Sequence, residues 1–337
     1  MNTPTLSNRC AIAMLALPIL GACNGGGLIS DQASPSADSV DLRTSFTSIA
    51  ALAHFQAEAR SADAARATAI VYNMHQAATG MDGEEAPYGN SRTENDCAVS
   101  GSEIIHYSIS DLTPTAGDTL TISELACART GSSDTFSTNG LESWTVLSGS
   151  IAEYDAIDLD IQQQAKYREH SDNGEETQFT SSMRYTIARD GDSYQVKVTD
   201  STLKHSQLGE TIVHLFEEKI EGDVCERSYN IQFYLDQNIR PSVGLLGYNM
   251  STLSPIREEH LETEDGDNYV HLSNGKVRIS VSDGSIIEYA AVEGNRVNIT
   301  LDTNADGSFE AQKTLDYDTF LDGAYGDNKL AALSENI

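Results

Sequence analysis

Basic side chains are scarce in this chain: 21 Lys and Arg stand against 51 Asp and Glu, a formal charge of −30. Such a field repels phosphate backbones and anionic headgroups, so nucleic acid is excluded as a natural partner. Long apolar runs are missing too, and Ala11 to Leu20 falls well short of the about 20 residues that a bilayer span needs. The histidines, His54, His75, His106, His170, His205, His214, His260 and His271, are scattered singly, so no zinc site is read from their spacing. There is no nucleophile elbow, no phosphate-cradling glycine loop and no cysteine-histidine signature. Carboxylate pairs abound, including Asp158 with Asp160, Glu217 with Glu218 and Glu258 with Glu259. In so acidic a chain they carry no signal without a cleft around them. The acid-rich run from Glu258 to Asp267 reads as a solvated loop.

What is present begins at the amino terminus. Arg9 precedes the short apolar run, which ends in Leu20-Gly21-Ala22-Cys23, the layout of an export signal rather than of a membrane span. A small-residue cleavage site followed at once by cysteine resembles the bacterial lipobox. The resemblance implies that residues 1–22 are a lipoprotein signal peptide and that Cys23 carries diacylglycerol as residue one of the mature chain. The membrane is then a partner through the acyl chains at Cys23, which hold far better in twos or threes than singly. Asn24, where aspartate resembles an inner-membrane retention signal, points to the outer membrane. Removal of Arg9 makes the charge one unit more negative. Residues 23–40, with Gly25-Gly26-Gly27 and Ser34-Pro35-Ser36, read as a flexible tether.

The 315 residues that remain of 337 after removal of 1–22 suffice for a buried core, so folding needs neither metal nor disulfide scaffold. Residues 41–80 are alanine-rich, with Phe46, Ile49, Ala53, Ile70, Val71 and Met74 near helical spacing, which predicts one or two helices ending before Gly80. Glu58 and Asp63 lie within the stripe, which favours packing on a sheet over docking on a membrane. From residue 81 to 337 the period changes to two: Ile105, Tyr107 and Ile109; Tyr185 and Ile187; Tyr194, Val196 and Val198; Ile231, Phe233 and Leu235. Turn dipeptides punctuate these runs, at Asn139-Gly140, Asn173-Gly174, Asp190-Gly191, Asp265-Gly266, Asn274-Gly275, Asp283-Gly284 and Asp306-Gly307. No helical crossover separates them, which disfavours a parallel sheet. The predicted fold is mainly β, a large antiparallel meander closing as an open barrel or a sandwich, with an N-terminal helical segment. A lipid anchor and many strand charges count against a membrane barrel.

Of five cysteines, Cys10 leaves with the signal and Cys23 is spent on lipid. Cys97, Cys127 and Cys225 permit three single pairings in an oxidising compartment. Cys97 with Cys127 is the choice, because both flank one predicted hairpin unit; Cys225 then reads as a small strand-end residue. Asp302, Asn304, Asp306, Gly307, Ser308 and Glu310 match the first half of an EF-hand-type calcium loop, with alternating oxygen donors and a glycine at the bend. Position twelve is Lys313, and the flanks alternate like strands, so a calcium ion would have to recruit Glu310, Asp316 or Asp318 across the hairpin. The competing reading is an acidic hairpin turned by Asp306-Gly307.

Two segments carry a further resemblance. One runs from Cys97-Ala98-Val99-Ser100-Gly101 through Ala116-Gly117-Asp118-Thr119-Leu120-Thr121 and Cys127 to Asn139-Gly140. The other holds Gly275-Lys276-Val277-Arg278-Ile279, Asp283-Gly284-Ser285 and Val297 to Glu310. Together, over about a quarter of the chain, they resemble a group of uncharacterised secreted or lipid-anchored proteobacterial proteins. The departures are Gly101-Ser102, where a glycine pair is common, and Tyr317 with Phe320, where a tryptophan often stands. The resemblance supports the disulfide and the β architecture and implies no activity.

The leading expectation is a non-enzymatic, lipid-anchored envelope protein with a binding or structural role, whose protein or glycan partner the residues do not name. The alternative is a periplasmic carrier whose curled sheet encloses an apolar cavity, discriminated by whether Ile231, Phe233 and Leu235 face packed side chains or a void. A secreted hydrolase would need two acids converging within about 5 to 10 Å in a pocket.

Overall fold

The computed structural model describes residues 42–79, 89–111, 113–130, 135–153, 156–171, 176–205, 209–235, 247–262 and 268–325. The lipobox, Cys23 and the 23–40 tether lie outside them, as do the turns expected at Asn173-Gly174 and Asp265-Gly266. A helix α1 (Leu42–Thr79) is followed by fourteen strands: β1 (Gly89–Asp96), β2 (Ser100–Ile109), β3 (Thr119–Thr130), β4 (Thr135–Glu153), β5 (Ala156–Ser171), β6 (Glu176–Asp190), β7 (Ser193–His205), β8 (Gly209–Glu221), β9 (Val224–Leu235), β10 (Gly247–Glu262), β11 (Asn268–Val281), β12 (Ile286–Val292), β13 (Arg296–Asp302) and β14 (Ala311–Asp316). A nine-residue helix α2 (Tyr317–Tyr325) ends the described chain. The sequence reading of 81–337 as strands alone missed α2.

All fourteen strands form one antiparallel sheet in strictly sequential order, open between β1 and β14. Period-two burial makes it so: Tyr185 and Ile187 on β6, Tyr194, Val196 and Val198 on β7, and Ile231 and Phe233 on β9 point to one buried face. Two of the expected turns are not turns. Asn139-Gly140 lies inside β4, and Asn274-Gly275 inside β11. Both sit beside bulges, where register slips between Glu124 and Cys127 and between Ser254 and Arg257. The Asn139 side chain accepts the Ala126 N–H at 2.9 Å, and Ala126 itself adopts φ 47°. Gly275 has φ +138°, and a Cβ there would lie 2.4 Å from Ile256 Cδ1, so glycine is required. Turn chemistry and bulge chemistry share the same residues, because both need positive φ and side-chain capping. Such bulges bend the long strands.

The bend gives the sheet its contents. Alanine-rich α1 is a single helix of 38 residues, and it touches β2, β6, β7, β8, β12 and β13 as well as α2. Contacts from near one sheet edge to the other mean that the sheet curls around the helix. Among its described side chains only Arg43, Ala69, Asn73 and Thr79 are exposed. A helix whose side chains are mostly buried or half-buried is a core helix rather than one with a single docking stripe. Ala50, Ala53, Ala64 and Ala67 are fully buried, and their small side chains let the helix lie against Trp144, Phe216 and Tyr289 within one continuous core. No helix among the described residues is long and apolar enough to cross a membrane.

The expected disulfide is present. Cys97, in the turn between β1 and β2, bonds Cys127 on β3, with Cα atoms 5.4 Å apart. Cys225 is buried on β9, outside the disulfide.

Candidate functional site

Polar side chains on α1 meet polar side chains on the inner sheet face in a buried network. His54 and Glu58, one helical turn apart, face the same way, with Nε2 of His54 3.4 Å from Oε1 of Glu58. Glu258 on β10 brings Oε1 to 4.0 Å from the same nitrogen. The Tyr317 hydroxyl, at the start of α2, donates to Glu258 Oε1 at 2.5 Å and lies 2.9 Å from His54 Nε2. His54 Nδ1 is 3.2 Å from the Tyr289 hydroxyl, which is 2.6 Å from that of Tyr229. Arg227 donates from Nη1 to Glu258 Oε2 at 2.6 Å and from Nε to Glu218 Oε2 at 2.8 Å. Ser61 also donates to Glu218, and the Cys225 thiol lies 3.6 Å from it.

Electrostatics follow from this geometry. Burial alone would push Glu258 up, but Arg227, His54 and the Tyr317 hydrogen bond hold its carboxyl below the ordinary range. Burial would lower Arg227, yet Glu258, Cys225 and Glu218 raise it well above the usual guanidinium value. Burial pushes the phenols of Tyr229, Tyr289 and Tyr317 up, so all three stay protonated. Sequence reasoning placed Glu258 in a solvated loop; it stands on a strand, 3% exposed, because β10 runs on to Glu262. Within the adjacent pairs Glu217-Glu218 and Glu258-Glu259, strand alternation turns one acid inward and the other out. Asp158 and Asp160 both face outward.

A second clamp lies further along α1. Arg66 donates to Glu142 on β4, which also accepts from Gln163 at 3.2 Å and Tyr167 at 3.0 Å on β5. Burial and the nearby Glu142 push the Tyr167 phenol up.

The acidic hairpin is also built as a unit. Asp302, 2% exposed at the end of β13, accepts the N–H groups of Gly307 at 2.8 Å, Asp306 at 3.2 Å and Asn304 at 3.3 Å. Asp306 accepts the Ser308 N–H at 2.8 Å, which holds its carboxyl below the ordinary range. Glu310 accepts the Thr303 N–H at 2.8 Å, and one oxygen each of Asp302, Asp306 and Glu310 lie within 4.8 Å of one another. Asn304 touches Asp306 at 3.1 Å. The expected strand flanks are present as β13 and β14. Of the acids named for the hairpin, Glu310 converges with Asp302 and Asp306, whereas Asp316 stands opposite Arg296 in the strand register at its far end. Hard oxygen donors of this kind suit calcium.

On the outer sheet face, an open groove of about 770 Å³ runs over β4, β5 and β6, lined by Leu141, Ser143, Lys166, Arg168, His170 and Thr180. Leu141 is half-exposed there, and Arg168 and His170 share Glu176 at 3.2 and 3.8 Å. In comparison with known proteins, no family model, no curated protein and no solved structure matches this chain.

Proposed function

We propose that the protein is an outer-membrane lipoprotein, anchored through acyl chains on Cys23, with a non-enzymatic binding or structural role. One observation carries the second half of that reading: the space inside the curled sheet is taken by α1, with Ile231 and Phe233 packed in the same core cluster. An apolar cargo would need that space, whereas a binding protein needs only its outside. Of the converging acids Glu58 and Glu258, the second is buried and capped by the Tyr317 hydroxyl, which favours a non-enzymatic role over hydrolysis. The groove over β4 to β6 is a concave part of that outside. Its hydroxyls, beside the half-exposed Leu141, suit an uncharged glycan. The test is growth with labelled palmitate. Label and membrane fractionation should both be lost in Cys23→Ser, and an unlabelled wild-type chain overturns the anchor.

A calcium ion at Asp302, Asn304, Asp306, Ser308 and Glu310 is a second proposal, favoured by the convergence of Asp302, Asp306 and Glu310. Extracellular modules of this sort bind at about 10⁻⁴ to 10⁻³ M. Millimolar calcium should raise the melting temperature of wild type and not of Asp306→Ala. Indifference of both removes the metal.

A further inference from the structure

We infer that His54, Glu58 and Glu258 form a binding site for a first-row divalent cation, with zinc the fitting probe, at the seam where α1 meets β10 and α2. Each residue offers one donor atom, and the three atoms lie within 4.8 Å of one another. Zinc bonds of about 2.0–2.2 Å place neighbouring tetrahedral donors roughly 3.3–3.6 Å apart. The His54 Nε2 to Glu58 Oε1 separation of 3.4 Å is already that edge, and the 4.0 Å to Glu258 Oε1 closes with a small side-chain rotation. Imidazole with two carboxylates is a donor set that such a cation takes in preference to a soft, thiolate-seeking one.

The surroundings match what a bound cation requires. The other nitrogen of His54 reaches the Tyr289 hydroxyl at 3.2 Å, and the other oxygen of Glu258 is held by Arg227 at 2.6 Å, so both donors are aimed by their outer contacts. Arg227 occupies Oε2 of Glu258 and leaves Oε1 facing His54. The Tyr317 hydroxyl, 2.9 Å from Nε2 and 2.5 Å from Oε1, bridges two of the donors by hydrogen bonds that an entering ion replaces. Charge points the same way. Glu58, Glu218 and Glu258 bring three carboxylates to one guanidinium, that of Arg227, and side chains 3% and 7% exposed at Glu258 and Glu218 cannot rely on water for the balance. Glu58, 31% exposed, gives the ion a way in.

The test is zinc titration of the full chain, by calorimetry and by metal content after dialysis, with melting as a second readout. The expected result is one equivalent bound at this site and a raised melting temperature. His54→Gln and Glu58→Gln should each weaken zinc binding by roughly tenfold or more, since even outer contacts of a metal ligand are worth that much. Glu58→Gln is partly exposed and keeps the fold measurable if His54→Gln does not. Asp306→Asn should leave zinc binding unchanged, which separates this site from the 302–310 hairpin. A wild-type chain that takes up no zinc, or binding unaltered in Glu58→Gln, overturns the inference.

Discussion

Arg227 stands between Glu218 and Glu258, donating to one from Nε at 2.8 Å and to the other from Nη1 at 2.6 Å, so a single guanidinium bridges β8 and β10 beneath α1. Removal of one partner from a buried ion pair leaves charge without compensation and costs about 3–5 kcal/mol. Arg227→Met should therefore destabilise the domain by that amount in urea titration at pH 7. Arg227→Lys, a point charge without the fork, should lose a substantial part of it. A loss under about 1 kcal/mol in the Met variant would mean that the carboxylates find other partners.

The disulfide closes a loop of 30 residues between Cys97 and Cys127. By chain entropy this stabilises the fold by roughly 3–4 kcal/mol. Cys127→Ser should lower the urea midpoint, and reductant should then have no further effect on that variant. Because Cys225 is 1% exposed, it should resist alkylation in the native protein and react on unfolding.

How far the sequence reached can be seen residue by residue. Strand alternation at Tyr194, Val196 and Val198 gave the right faces, because burial on one side of a sheet has a strict period of two. Helical spacing marked α1 but not its full enclosure, since enclosure depends on how far the sheet curls, and that is set by bulges such as the one at Ala126. Asn139-Gly140 has the chemistry of a turn and serves a bulge instead. Within the buried site, the spacing of His54 and Glu58 on a predicted helix was available as a signal. Glu258 was not, for it lies some two hundred residues away and meets them only through the meander. The acid of the hairpin, Glu310, was in view because its partners are local.

Close packing around the central helix makes a second stability prediction. Ala64 and Ala67 are fully buried in the core that α1 shares with the strands. Ala64→Leu should cost about 1–3 kcal/mol through overpacking, measured by thermal melting. If instead the leucine is neutral or stabilising, a void lies beside α1, and carriage of an apolar ligand becomes the better reading.

Acid should weaken the carboxyl-terminal half of the sheet through Glu288. Its carboxylate accepts from Arg278 Nε at 2.8 Å and Nη2 at 2.6 Å, and its other oxygen lies 2.7 Å from Lys276 Nζ. Burial pushes it up, but these hydrogen bonds and charges outweigh burial and hold it below the usual 4.5. A depressed folded value means that the native state binds this proton less readily than the unfolded chain does. The contribution is present above the ordinary glutamate value and is lost as pH falls through the lower, folded one. Glu288→Gln should cost about 1 kcal/mol at pH 7, because the two cations lose their charged partner while remaining partly solvated. The gap between variant and wild type should then narrow as pH drops below 4.5 in parallel urea titrations. A gap that stays constant down to acid pH would assign the role of Glu288 to packing rather than to charge.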